Sequence, residues 1–361
     1  MLAAAALLAL AASAVALPVS SGSGCASSGT DPAFTTSCDK LAASVVCPNG
    51  ITGAANGIVL LVHGTGSTGE ESWGSGPYTQ LLPKAANIDA CWVNLPNRSL
   101  SDAQVSAEYV AYNIRALAAK SKTKMVSIVG HSQGAGINPQ WALLYWPQTT
   151  RQYVSAYVAL AGDFHGTAES VLLCGAPQLS PCAASVYQQT IGSHYLAAQN
   201  KRGNTDLLNG RTTSIYTIFD DVIMPEGAPG TIPTRIPPPL VDPTSNLPNS
   251  AVFALQDPVI CGPTHVADHF SMIIDPAAYN LAQQAILNRG AAKSAKFSKT
   301  SCTYLEDNVL ISNFSSVPSF VRSIVADVIA VGTEGQPRSA TEPKLMPYVC
   351  AAGDAPASQC A

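Results

Sequence analysis

The feature that most constrains the fold is a series of short apolar runs separated by longer segments of helical period. Ile58–Val62 is wholly aliphatic, Met125–Val129 is broken only by Ser127, and Ala156–Leu160 and Thr213–Phe219 continue the series. Runs of this length suit strands covered on both faces, as in a parallel sheet. Residues 103–119 place Val105, Tyr109 and Tyr112 in one helical row and Val110, Ile114 and Leu117 in another. Ser101 to Gln104 reads as a capping box in front of that helix. The alternation predicts an α/β fold: a mostly parallel central sheet with helices on both faces. After Pro225 the texture changes. Nine prolines between Pro225 and Pro258 argue against regular helix or central strand, and predict a long surface excursion that returns at Cys261. A second apolar helix is expected over Pro318–Val331.

The amino-terminal stretch Leu2–Leu17 is almost entirely Ala and Leu, too short for a membrane span, and ends in Ala14-Val15-Ala16. This predicts a signal peptide over residues 1–16, a Ser/Gly-rich segment over 17–46, and one folded domain over 47–361. Val317–Gly332 is apolar but carries Arg322 and Asp327, so no integral span is expected. The cysteine pattern fits export. The chain has 10 cysteines, with no CxxC pair and no Cys/His cluster of zinc spacing, which favours disulfides over a metal site. Cys25 and Cys38 would tie down the N-terminal segment. Asn97-Arg98-Ser99 and Asn313-Phe314-Ser315 are glycosylation sequons, meaningful in an exported chain. Charged residues are only 12% of the chain and the net charge is −4, which leaves no basic footprint for nucleic acid.

Gly130-His131-Ser132-Gln133-Gly134 is a G-x-S-x-G pentapeptide. The pattern alone recurs by chance. Here it stands between a buried strand and a helix-like stretch, the setting of a nucleophile elbow. A serine hydroxyl attacks only when a base takes its proton, so an acid and a histidine should follow in that chain order. Asp163, Asp220 and Asp221 are the candidate acids. If the acid is at 220 or 221, His265 and His269 are the histidines left downstream. Those two histidines with Asp268 also suggest a metal site, but lack an HExxH motif or a third ligand at suitable spacing. An oxyanion needs donors fixed in advance. The amide of Gln133 and the loop His63-Gly64-Thr65-Gly66, after the first apolar run, meet that need.

LLVHGTGSTG, Cys91-Trp92, SDAQVSAEYV, the SQG at 132–134, Asp163 with Gly166-Thr167, VYQQTIGS, the strand ending in Asp220, CGPTHVADH and LMPY occur in matching order from Cys47 to Tyr348. In these motifs the chain resembles the Candida antarctica lipase B family of secreted serine lipases. The resemblance implies an α/β-hydrolase fold and ester hydrolysis without cofactor or metal. It implies Ser132 as nucleophile, Asp220 as acid and His269 as base. Thr65 and Gln133 would form the oxyanion hole, and Asp163 and Gln189 the polar end of the substrate pocket. The Cys47–Cys91 and Cys261–Cys302 pairings are likewise implied. The Pro318 helix has two readings: core packing, or, as the resemblance implies, the rim of an acyl channel where Phe320, Ile324 and Ile329 would meet the acyl chain.

The departures are local. His131 stands where the family's namesake has an aromatic residue before its serine. The segment from Ser132 to Trp141 is one residue longer and contains Pro139, which should kink or delay the helix after the elbow. Thr341 replaces a family cysteine, so Cys350 is expected to pair with Cys360. Cys174 and Cys182 are additional; a bond between them would clamp a lid-like segment and leave little interfacial activation. The reading that follows is a secreted monomer acting on lipid or other esters as a triacylglycerol lipase or carboxylesterase. Polyester depolymerisation, acyl transfer, and a non-catalytic hydrolase-like binding protein are the alternatives.

Overall fold

Aliphatic side chains that alternate along a strand can all be buried only if both faces of the sheet are covered. The computed structural model, which describes residues 27–170, 182–226, 247–305 and 338–361, resolves the apolar runs in that way. Its strands are β1 (Val45–Val46), β2 (Ile58–Val62), β3 (Asp89–Val93), β4 (Val126–His131), β5 (Val154–Leu160), β6 (Thr212–Tyr216) and β7 (Ala251–Ala254). They form one seven-stranded sheet in the order β1-β3-β2-β4-β5-β6-β7, parallel except where β1 meets β3. Ile58, Leu60 and Val62 face a core shared with the helices Ala103–Lys120, Asn138–Tyr145 and His194–Gly203. Val59 and Leu61 face the opposite core, closed by Pro276–Asn288 and by Trp73, Tyr78 and Leu82. Each such aliphatic side chain contributes about 1.5–3 kcal/mol by its burial.

Several boundaries differ from the sequence reading. β3 begins at Asp89, whose buried carboxylate accepts from Thr52 Oγ1 and the amides of Gly53 and Ala54. That charge interrupts the apolar signal. β7 lies inside the proline-rich stretch, between Pro248 and Pro258, and is the last strand of the sheet among the described residues. The cap of Ala103–Lys120 is Asp102 and not Ser101: its carboxylate accepts from the Gln104 amide at 2.9 Å. The helix after the elbow stops at Gly136 and restarts at Asn138, with Pro139 in the first turn, where its missing N–H costs no intrahelical bond.

Residues 27–46, assigned by sequence to a separate N-terminal segment, are part of the body. β1 joins the sheet, the amides of Thr35 and Thr36 donate to the Glu108 carboxylate, and Phe34 stacks on Trp146. Disulfides join Cys47 to Cys91, Cys261 to Cys302 and Cys350 to Cys360. Cys38 and Cys182 are also disulfide-bonded. Their assigned partners, Cys25 and Cys174, lie outside the described residues, as do the 1–16 segment, Asn313 and the helix over Pro318–Val331. Among the described residues no helix is long and apolar enough to cross a membrane.

Candidate active site

β4 ends at His131, and Ser132 occupies the turn that follows with φ 58° and ψ −130°, a conformation a non-glycine residue holds only under constraint. The constraint is visible. The Ser132 amide donates to Leu160 O at 3.0 Å, and its carbonyl accepts from the amides of Ala135 and Gly136. Both glycines of the motif are required by contact: a Cβ on Gly130 would overlap the carbonyl of Gly134, and one on Gly134 that of His63. The turn raises Ser132 into a cavity of about 210 Å³ that it shares with Gly64, Thr65, His131, Gln189 and His269. Val186, Val222, Ile223 and Phe270 supply apolar wall, and Glu169 and Asp221 supply carboxylates.

Of the candidate acids, Asp220 is the one that bonds a histidine. Just past β6, its Oδ1 accepts from the amides of Val222 (2.9 Å) and Ile223 (2.7 Å), leaving Oδ2 to accept from His269 Nδ1 at 2.9 Å. Both side chains are buried. Burial alone would pull His269 down, but the Asp220 charge and hydrogen bond, helped by Asp221 and Asp163, outweigh it and raise its pKa above the usual value. His265, the rival base, is bound instead to Asp275 at 2.7 Å. That bond raises its affinity for a proton.

The loop after β2 brings Thr65 against Gln133. The Thr65 hydroxyl lies 2.6 Å from Gln133 Oε1 and 3.0 Å from Gln189 Oε1. The amide of Gln133 opens the helix Gln133–Gly136, so it belongs to the first-turn donors that a helix leaves without an internal acceptor. Below the loop, His63 is fully buried: Nδ1 donates to Gly64 O at 2.9 Å and Nε2 accepts from the Leu95 amide at 3.0 Å. Burial lowers its pKa to about 4, so it stays neutral. Arg98 holds the far side of the loop, donating to Gly66 O and forking onto Glu71 at 2.9 and 2.7 Å. Asp163 follows β5. It is fully buried, and its backbone packs so closely against Gly136 that no Cβ would fit there. Burial pushes its carboxyl up to about 7, against the pull of the Gly166 amide. Gln189 does line the cavity.

No protein-family profile matches the chain. Over 328 residues it is 31% identical to lipase B of Pseudozyma antarctica, covering 89% of this chain and 87% of that protein. The chain belongs to the lipase B family. A crystal structure of Aspergillus fumigatus lipase B superposes with a TM-score of 0.77 at 24% identity, over 92% of this chain and 76% of the other. The lipase B fold is the α/β-hydrolase fold seen here, and the family membership makes this chain a carboxylic ester hydrolase. Within this lipase B framework, sequence reasoning did not find the supports: His63 under the loop after β2, the Arg98–Glu71 fork, and His131, whose Nε2 donates to the main-chain carbonyl of His269 at 2.8 Å. His63 stood inside a motif and Arg98 inside a sequon, but nothing local in the sequence pairs either with its partner.

Proposed function

We propose that this lipase B relative cleaves carboxylic esters, triacylglycerols foremost, through an acyl-enzyme on Ser132. Ser132 Oγ forms the bond to the ester carbonyl carbon as His269 Nε2 takes its proton. Asp220 holds Nδ1–H and stabilises the imidazolium. The carbonyl oxygen, now an anion, is met by donors of Thr65 and Gln133. As the tetrahedral intermediate collapses, the C–O bond to the alcohol breaks and His269 returns the proton to the leaving oxygen. Water then repeats the sequence on the acyl-enzyme and releases the acid. For the Thr65 hydroxyl to serve the anion it must turn from Gln133 Oε1, a hydrogen bond exchanged for a stronger, charge-assisted one.

The observation that carries this reading is the buried Asp220–His269 bond at the edge of the cavity into which the Ser132 turn projects. Export is part of the proposal, supported by the alanine- and leucine-rich leader and by the disulfides, and so is a monomeric state. The test is labelling with a fluorophosphonate followed by peptide mapping. One adduct, on Ser132, is expected; an adduct elsewhere, or none in protein that hydrolyses esters, would refute the assignment. A panel of short p-nitrophenyl esters, long-chain triacylglycerols and polyester films, with and without an added alcohol, then sorts lipase from depolymerase and acyltransferase.

A further inference from the structure

His269 lies on a stretch without regular secondary structure, between β7 and the helical turn Ser271–Ile273. Alternate main-chain carbonyls of that stretch are each gripped by a side chain from a different strand end. Gln256, just past β7, donates Nε2 to His265 O at 3.0 Å. Thr217, directly after β6, donates Oγ1 to Ala267 O at 2.6 Å. His131, the last residue of β4, donates Nε2 to His269 O at 2.8 Å. The third grip is of a different kind, because it joins the residue beside the nucleophile to the base itself.

We propose that His131 is a positioning residue, which fixes the distance between Ser132 and His269 by tying the backbone of His269 to the elbow. The proposal rests on the reading of Ser132 and His269 as nucleophile and base. A carbonyl only accepts, so His131 Nε2 carries the proton and the neutral ring is held as the Nε2–H tautomer. The two imidazole rings lie 4.6 Å apart between centroids. A charge on His131 would therefore oppose the imidazolium formed on His269 in each turnover. Burial, then the His269 charge, keep His131 well below the ordinary histidine range. The charged groups that act on His269 are then Asp220, Asp221 and, once ionised above about pH 7, Asp163, while His131 stays neutral and the Phe270 ring packs 5.2 Å away.

His131→Phe keeps a ring and deletes the donor; His131→Gln keeps an amide N–H at the reach of Nε2. With p-nitrophenyl butyrate and enzyme counted by fluorophosphonate titration, the Phe variant should lose about 10- to 100-fold in kcat with KM within about threefold. The Gln variant should recover most of that loss. Equal losses in both variants, an unchanged kcat in the Phe variant, or a loss carried by KM alone overturns the proposal. Because a buried substitution can also impair folding, the wild-type imidazoles are read in parallel by 15N NMR. His131 should appear as the neutral Nε2–H tautomer between about pH 5 and 8. The Nδ1–H tautomer, or titration within that window, overturns it. His269→Ala separates the two levels: retained activity there defeats the base assignment, while the tautomer of His131 still reports on the bond itself.

Discussion

Asp220 gives one carboxylate oxygen to the amides of Val222 and Ile223 and the other to His269 Nδ1, so a single side chain fixes both its own loop and the orientation of the imidazole. Replacing it with Asn keeps the size but removes the charge that outweighs the burial of His269. Asp220→Asn should lower kcat by about 10,000-fold, since the wrong tautomer is then favoured. In the proposed mechanism His269 works as a neutral base, and its pKa is raised in the wild type, so the acid limb of kcat/KM should lie above about pH 6.5. In the variant the burial penalty acts unopposed by this charge, and the limb should move to lower pH. A pH–rate profile of both proteins checks this; a limb that stays in place contradicts it.

Asp163 offers a stability test. Its folded pKa, about 7, lies above the unfolded value, so the folded state holds the proton longer and stability falls as pH rises from about 4 to 7. Asp163→Asn avoids that loss. Urea unfolding should show the variant equal to wild type near pH 4 and more stable by about 4 kcal/mol at pH 8. A difference independent of pH contradicts the burial of an ionisable carboxyl at this position.

His63 titrates in the opposite sense. Its folded pKa of about 4 lies below the unfolded value near 6.5, so the unfolded chain binds the proton first. Its contribution is complete above about pH 6.5 and is lost as pH falls toward 4. The gap in unfolding free energy between wild type and His63→Gln should shrink by about 3 kcal/mol between pH 7 and pH 4. His265 and His269, whose raised values favour the folded state at low pH, and the buried neutral His131 are common to both proteins and cancel in the difference. A gap that widens on acidification contradicts a neutral His63 beneath the loop that carries Thr65.

Thr65 tests the oxyanion donors. Thr65→Val removes the hydroxyl but keeps the amide, and should lower kcat by about 100-fold with little change in KM. A rise in KM at constant kcat would mean that the hydroxyl contacts substrate equally in ground and transition states.

The central strands and the elbow were legible because their signals are local: an aliphatic run needs cover on both faces, and the glycines of the elbow are imposed by contacts within a few residues and with the neighbouring strand. β3 was hidden by Asp89, whose carboxylate takes its hydrogen bonds from a loop some 35 residues earlier in the chain. The cap at Asp102 was misread by one position because Ser101 and Asp102 both carry capping oxygens, and only the fold selects between them. The depth of Asp163 follows from backbone packing against Gly136, which no side-chain pattern records. The bond from His131 to His269 spans 138 residues. A motif can name the nucleophile and its base; what holds them in register is tertiary.

The most direct measurement is the hydrolysis of tributyrin by Ser132→Ala beside the wild type, with equal melting temperatures as proof that both are folded. Removal of the hydroxyl should lower kcat by about a million-fold, leaving only what binding and the oxyanion donors supply. Activity within about tenfold of wild type would mean that the ester is opened by another group, and the account built on Ser132, His269 and Asp220 would be wrong.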